Sequence, residues 1–319
     1  MHRSGEGTEI PSSASHAVQE TAVGQRRSES GKGILFMALG MFLFSAVDTG
    51  AKFLTDGLHP FQITWTRQLG LLGGAIFLIA YHGRTVLRTR HPWLQVSRGV
   101  VAVGSASSFI FGITYVALAD AVAISFVAPF MVTLMGALIL REPVGVRRWA
   151  AVIVGFVGAM IVIRPGMGIV HPAAMLVVVA AFFFAVRQII SRWLADTDST
   201  ATTVVYTAIV GSALLTVPLP FVWQTPSSDQ IVILVGIAVI AGVAEVFVIM
   251  ALQVAMAVVV APMQYTLMIW GTFYGFMVFG QLPDRWTWIG AAVIIASGIY
   301  TLRREYQVSK QRRSDANER

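Results

Sequence analysis

The chain has no cysteine. That single absence removes disulfide scaffolds, thiolate metal sites and cysteine nucleophiles. Charge is also scarce: 12% of the 319 residues are Asp, Glu, Lys or Arg, about half the share of an ordinary soluble domain. Against this, 56% are hydrophobic and the mean hydropathy is +0.72. So few charges cannot solvate the outside of so apolar a fold, which excludes a soluble globular domain and a disordered chain alike. A bilayer is the solvent that fits. Catalytic signatures are missing too. The sequence has no HExxH, GxSxG, Walker loop or EF-hand spacing. His2, His16, His59, His82, His91 and His171 fall in the tail, in loops or near span ends without paired spacing, so no metal site, catalytic set or cofactor is expected.

What is present is a series of long apolar runs. A transmembrane helix takes roughly 20 such residues. Ten segments qualify, near residues 33–54, 61–81, 97–118, 121–140, 147–163, 172–192, 201–223, 230–252, 256–280 and 286–302. The runs are continuous, without the period-two alternation of a barrel strand. The expected fold is therefore an all-α membrane protein with ten transmembrane helices. Residues 1–32 are polar, lack the apolar core of a signal peptide, and are expected to form a disordered cytoplasmic tail. Residues 305–319 form a second, basic cytoplasmic tail.

Charge sets the orientation. With the amino terminus in the cytoplasm, 18 of the 23 Lys and Arg residues fall on the cytoplasmic side, Arg98 among them. Only Arg164 and Arg285 fall outside, while Lys52, Arg67 and Arg187 lie within spans. This asymmetry obeys the positive-inside rule and places both termini in the cytoplasm. The net charge of +7 thus reflects topology, and no nucleic-acid partner is expected.

The halves 33–165 and 172–304 resemble one another. Residues 44–54 align with residues 184–194, pairing Asp48 with Gln188 and Lys52 with Arg192. Val127-Ala-Pro129 matches Val260-Ala-Pro262, and Arg148-Trp149 matches Arg285-Trp286. Five spans per half is an odd number, so the second half crosses in the opposite sense and the fold becomes two inverted five-helix repeats. Inverted repeats mark secondary transporters, in which one pattern builds both gates. The other reading is an old duplication that left symmetry without transport.

Several motifs also carry a resemblance: the Ala-Pro in spans four and nine, Arg141-Glu142-Pro143 after span four, Ala261-Pro-Met-Gln-Tyr-Thr266, and Phe279-Gly-Gln-Leu-Pro-Asp284. Together with five plus five spans, they make residues 33–304 similar to the EamA-like transporters of the drug/metabolite transporter superfamily. The family often carries Glu where this chain has Gln281, so no charge role falls there. The resemblance implies a bacterial inner membrane and carriage of amino acids, flavins, nucleotide-like cofactors, siderophore-like compounds or drugs. A membrane-embedded enzyme and a channel are the other classes. The first lacks a catalytic set and the second a charged or carbonyl-rich filter sequence.

A charge at the bilayer centre costs at least about 2.5–3.5 kcal/mol, so charges inside spans are candidates for function. At 1.5 Å per residue, Asp48 and Arg67 both lie roughly 9 Å below the outer boundary. Arg187 and Glu245 lie roughly 7.5 and 10 Å above the inner one. The functional reading is two gates, each closing by charge pairing, with Glu245 as the candidate proton carrier. The alternative is static ion pairs or snorkelling arginines, and Lys52 is expected to snorkel. Near the midplane Ser108, Ser125, Gln264, Tyr265, Trp270 and Tyr274 are candidate substrate-binding residues, suited to a planar amphipathic solute. Alternatively, the serines bond their own helices and the rings simply pack. Pro129 and Pro262 are either hinges or static kinks. The spacings Gly70/Gly74 and Gly271/Gly275 suit close packing within the monomer or a homodimer. Riboflavin is the first expectation for the solute, its ring suited to Tyr265, Trp270 and Gln264. An amino acid or carboxylate is the rival, because Arg67 and Arg187 offer an anion site.

Overall fold

The computed structural model describes residues 12–141, 145–164, 171–194, 197–255 and 260–317. Residues 1–11 of the expected tail, Glu142 and Pro143 of the turn, and Pro165 and Gly166 between the halves lie outside these. Among the described residues the elements are helices, with no strand. They are α1 (Ser12–Leu54), α2 (Pro60–His82), α3 (Pro92–Tyr115), α4 (Leu118–Ser125), α5 (Ala128–Ile139), α6 (Val146–Ile163), α7 (Ala174–Leu194), α8 (Thr200–Thr216), α9 (Leu219–Val222), α10 (Ser228–Val254), α11 (Thr266–Phe279) and α12 (Arg285–Asn317), with 3-10 turns at Gly83–Leu87 and Ala261–Tyr265.

The boundaries follow from local chemistry. Proline supplies a preset φ in the first turn of α2 and of α3, where its missing N–H is no loss. Ser199 accepts a hydrogen bond from the Thr202 amide to start α8, and Ser227 with Gln230 forms a reciprocal capping box on α10. Gly280, at φ 63°, ends α11 in the left-handed conformation. α1 starts at Ser12 and α12 runs to Asn317, so helical backbone reaches well into both segments expected to be tails. Once a span is helical, each further residue adds one hydrogen bond without a new nucleation cost.

Among the described residues, six stretches are long and apolar enough to cross a bilayer: Gly31–Leu54, Pro60–Tyr81, Pro92–Tyr115, Leu118–Ile139, Ala174–Leu194 and Ser228–Ala251. Trp149–Ile163 and Thr200–Thr216 are apolar but shorter. The fourth expected span is split at Phe126–Val127 into α4 and α5, and the ninth contains the 3-10 turn at Ala261–Tyr265 that leads into α11. Pro262 sits in the 3-10 turn at Ala261–Tyr265, and Pro129 sits in the first turn of α5. A proline there removes no intrahelical bond.

The two halves pack into each other. α1 lies along α10, α3 along α7, α6 along α12, and α2 along both α8 and α10. α3 also meets α8, α1 meets α11, and α5 meets α7. The α6–α12 crossing is glycine against glycine. A Cβ on Gly158 would lie 3.0 Å from the Gly290 carbonyl oxygen, and one on Gly290 only 2.6 Å from that of Gly158. The interior is mostly Ala, Val, Ile and Leu, while Phe77, Val232, Ile269 and Met277 stand exposed on the outside, as lipid contact requires.

Candidate functional site

Five helices contribute to a polar band inside the bundle. Asp48 on α1 and Arg67 on α2 meet at 3.1 Å, and Asp48 is nearly buried. Arg67 also lies over the Phe44 ring, 5.6 Å from its centroid. The neighbouring Gln68 donates to the Thr207 carbonyl on α8 at 3.1 Å. Arg98 on α3 donates to the Thr207 hydroxyl and, at 2.7 Å, to Ser191 on α7. Ser191 in turn donates to the Arg187 carbonyl one turn back.

Arg187 itself is placed differently from Arg67. Its guanidinium lies over the Phe184 ring at 4.8 Å, and its buried Nε has no hydrogen-bond partner among the described residues. Among the described residues no ion pair or hydrogen bond joins it to Glu245. Glu245 nevertheless acts on it as the nearby opposite charge, and Arg67 as a like charge. Arg98 feels both Arg187 and Glu245. The structure therefore closes the outer of the two expected charge pairs and leaves the inner one unclosed. Arg98, counted by sequence among the cytoplasmic charges at the start of the third span, points its head into the bundle because α3 begins at Pro92, six residues before it.

The aromatic candidates divide. Trp270 packs edge-on to Phe42 at 4.9 Å, and Phe42 also meets Tyr274 at 5.5 Å. Among the described residues the buried Trp270 Nε1 has no hydrogen-bond partner, nor do the hydroxyls of Ser45, Ser107 and Thr272. Gln264 is exposed and Ser108 half-buried. Tyr265 is buried against Phe126, and its hydroxyl end fills the hole left by Gly298 on α12. Ser125 spends its hydroxyl on the Val122 carbonyl at 2.7 Å. These last two side chains are thus engaged in packing and in their own helix.

A second network, not foreseen from sequence, lies at the end of the bundle where α1 and α3 finish. Lys52 does not snorkel: its Nζ donates to the carbonyls of Ile113 and Val116, both at 2.7 Å, and so caps α3. Thr287 donates from its hydroxyl to Asp120 at 2.8 Å and from its amide to Asp284 at 2.9 Å. Asp284 pairs with Arg164 at 2.7 Å. Arg164 ends α6 at φ 46°, a conformation that costs a non-glycine residue about 1 kcal/mol and that the ion pair offsets. Slight burial pushes the Asp284 carboxyl up, but the Thr287 amide and the Arg164 guanidinium outweigh it and hold it below the usual carboxylate range. Tyr115, Asp120, Arg164, His171, Leu282 and Asp284 line a cavity of about 290 Å³ there. The signal in the sequence was a Pro-Asp284 turn and a lone acid at Asp120, neither distinctive alone.

No catalytic triad or metal cluster occurs in this arrangement among the described residues. What it offers is paired and unpaired charge, and rings, inside an apolar bundle. The EamA-like transporter family profile matches residues 31–164 and matches again over residues 171–303. The chain belongs to this family. It is therefore a multi-pass membrane protein and a transporter of small molecules rather than an enzyme.

Two relatives bear this out, and one solved structure shares the fold. An S-adenosylmethionine uptake transporter of Rickettsia prowazekii is 26% identical over 271 residues, covering 85% of this chain and 92% of that one. A riboflavin transporter of Vibrio cholerae is 31% identical over 236 residues, covering 73% and 79%. A crystal structure at 17% identity superposes with a TM-score of 0.60 over 87% of this chain and 98% of the other, which shows a common fold.

Proposed function

We propose that this EamA-like chain is a secondary transporter working by alternating access across a bacterial inner membrane. Its ten spans form two inverted halves, 33–165 and 172–304, with both termini in the cytoplasm. The observation that carries this reading is the helix pairing. Exchanging the halves turns the α1–α10 contact into the α7–α3 contact, the α2–α10 contact into α8–α3, and the α1–α11 contact into α7–α5. The α2–α8 and α6–α12 pairs map onto themselves. The double profile match supports the same division. An inverted repeat of this kind lets one packing scheme build both the outward-open and the inward-open state.

In this reading Asp48–Arg67 and the Asp120–Thr287–Asp284–Arg164 network are the shut periplasmic gate, and Arg187 and Glu245 are the cytoplasmic gate, not yet closed. Glu245 is the coupling-proton candidate. The break before Pro129 and the 3-10 turn at Pro262 serve as hinges. Trp270 and Tyr274, with Phe42, stack on the solute ring, and Gln264 and Ser108 fix its edge. Tyr265 and Ser125 support that wall from behind. An aromatic, amphipathic metabolite fits best, with riboflavin as the first candidate, in keeping with the riboflavin and S-adenosylmethionine transporters among the relatives. A homodimer gains no support from Gly70, which packs against Ala238 within the same chain.

Uptake into ATP-free proteoliposomes tests the proposal. A carrier saturates with solute concentration, whereas flux that rises linearly to millimolar levels means a channel. Conversion of the solute into a product would mean an enzyme.

A further inference from the structure

The charges of the polar band do not balance. Three guanidinium groups, on Arg67, Arg98 and Arg187, face two carboxylates, on Asp48 and Glu245. Their engagement is uneven. Asp48 is taken by Arg67. Arg98 is held by the neutral hydroxyls of Ser191 and Thr207, so its charge is fixed in place but not neutralised. Among the described residues the buried Nε of Arg187 has no hydrogen-bond partner, and its guanidinium lies over the Phe184 ring. A ring face attracts a cation but accepts no N–H bond in the guanidinium plane. An arginine carries five donors in a planar fork that matches a carboxylate or phosphate. In a site of low dielectric, an unneutralised fork of this kind is costly unless a mobile anion completes it.

We infer that the Arg187 guanidinium, with Arg98 braced beside it by Ser191 and Thr207, is the subsite for an oxyanion on the transported solute, a carboxylate or a phosphate. This rests on the transport reading above and narrows it: the ring is held by Trp270 and Tyr274, and the anionic end by Arg187. Ser191 ties the two arginines together, because it accepts from Arg98 and donates to the backbone of Arg187. Glu245 then stands near Arg187 as a counter-charge, with no bond between the two among the described residues.

Two pairs of probes, each differing mainly in the anionic group, separate the alternatives. Flavin mononucleotide against riboflavin tests phosphate, and tryptophan against tryptamine tests carboxylate. Each is titrated against the purified full chain in lipid nanodiscs, in wild type, Arg187→Gln and Arg187→Lys. In wild type the anionic member of at least one pair should bind about tenfold tighter or better than its partner, as one lost charge-assisted contact implies. Arg187→Gln should abolish that preference, and Arg187→Lys should keep part of it and control for folding. Equal affinity within both pairs overturns the inference, as does a preference that survives Arg187→Gln, or failure of both anionic probes to bind. Saturable binding or uptake of riboflavin unaffected by Arg187→Gln would sink the anion subsite and leave the transport reading standing. Absence of saturable flux for every solute would sink the transport reading itself.

Discussion

Asp48→Asn is the sharpest perturbation of the proposed periplasmic gate. It keeps the shape of the side chain but leaves Arg67 facing a neutral amide. Breaking a buried pair from one side typically costs about 3–5 kcal/mol, and an exposed pair about 0–1 kcal/mol. The Asp48 side chain is 8% exposed and that of Arg67 21%, so about 2–3 kcal/mol is reasonable here. If the pair exists only while the outer side is shut, that loss falls on the gating equilibrium and multiplies the outward-open population about 30- to 150-fold. The cysteine-free sequence makes this measurable without background. Ser45 lies one turn deeper than Asp48 on α1 and is 1% exposed. Ser45→Cys should react slowly with a membrane-impermeant thiol reagent added outside, and much faster once Asp48→Asn is added. Reaction rates that do not change, in protein of unchanged expression, would refute the gate and leave only a structural ion pair.

Other outcomes follow from the same geometry. Glu245→Gln, a mimic of the protonated acid, should keep solute exchange but lose accumulation driven by a pH gradient. Unchanged accumulation would remove the proton role. Lys52→Met removes two charge-assisted bonds from the end of α3 and should lower stability by about 1.5–3 kcal/mol, seen as a lower midpoint in thermal unfolding. Gly290→Ala places a methyl group 2.6 Å from the Gly158 carbonyl and should cost about 1–3 kcal/mol; an unshifted midpoint would show that α6 and α12 are not held so close. Asp198 is pushed up by slight burial, but the Thr89, Gln95 and Arg90 hydrogen bonds outweigh this and hold it below the usual carboxylate range. A depressed acid contributes stability that is present above its unfolded pKa of about 3.9 and is lost as pH falls through the folded value. Asp198→Asn should therefore lower the midpoint at neutral pH and flatten its decline on acidification, measured as midpoint against pH.

Much of the fold was legible because membrane helices announce themselves by length and by their breaks. Pro60, Pro92 and Gly280 bound the helices as their backbone chemistry requires. Asp48 and Arg67 could be matched because depth along a helix is counting at 1.5 Å per residue. Facing is a different matter. α11 is apolar on all sides, so no stripe in its sequence told cavity from lipid, and Tyr265 turned out to be directed by the hole at Gly298 on another helix. Arg98 escaped notice because the helix begins a turn and a half earlier than the apolar run does. Lys52 looked like a snorkelling residue because the carbonyls it caps lie about sixty residues along the chain. The prolines were visible, but whether each kinks a helix or starts one depends on where the preceding turn ends.

Counterflow tests the central claim most directly. Proteoliposomes holding the full chain are loaded with millimolar unlabelled solute, riboflavin or its phosphate, and diluted into trace labelled solute at equal pH and no membrane potential. An alternating-access carrier returns from each export step loaded with label. The account therefore predicts a transient overshoot of internal label above its equilibrium level, abolished when the interior is empty. A monotonic rise to equilibrium, identical with and without internal solute, would contradict it.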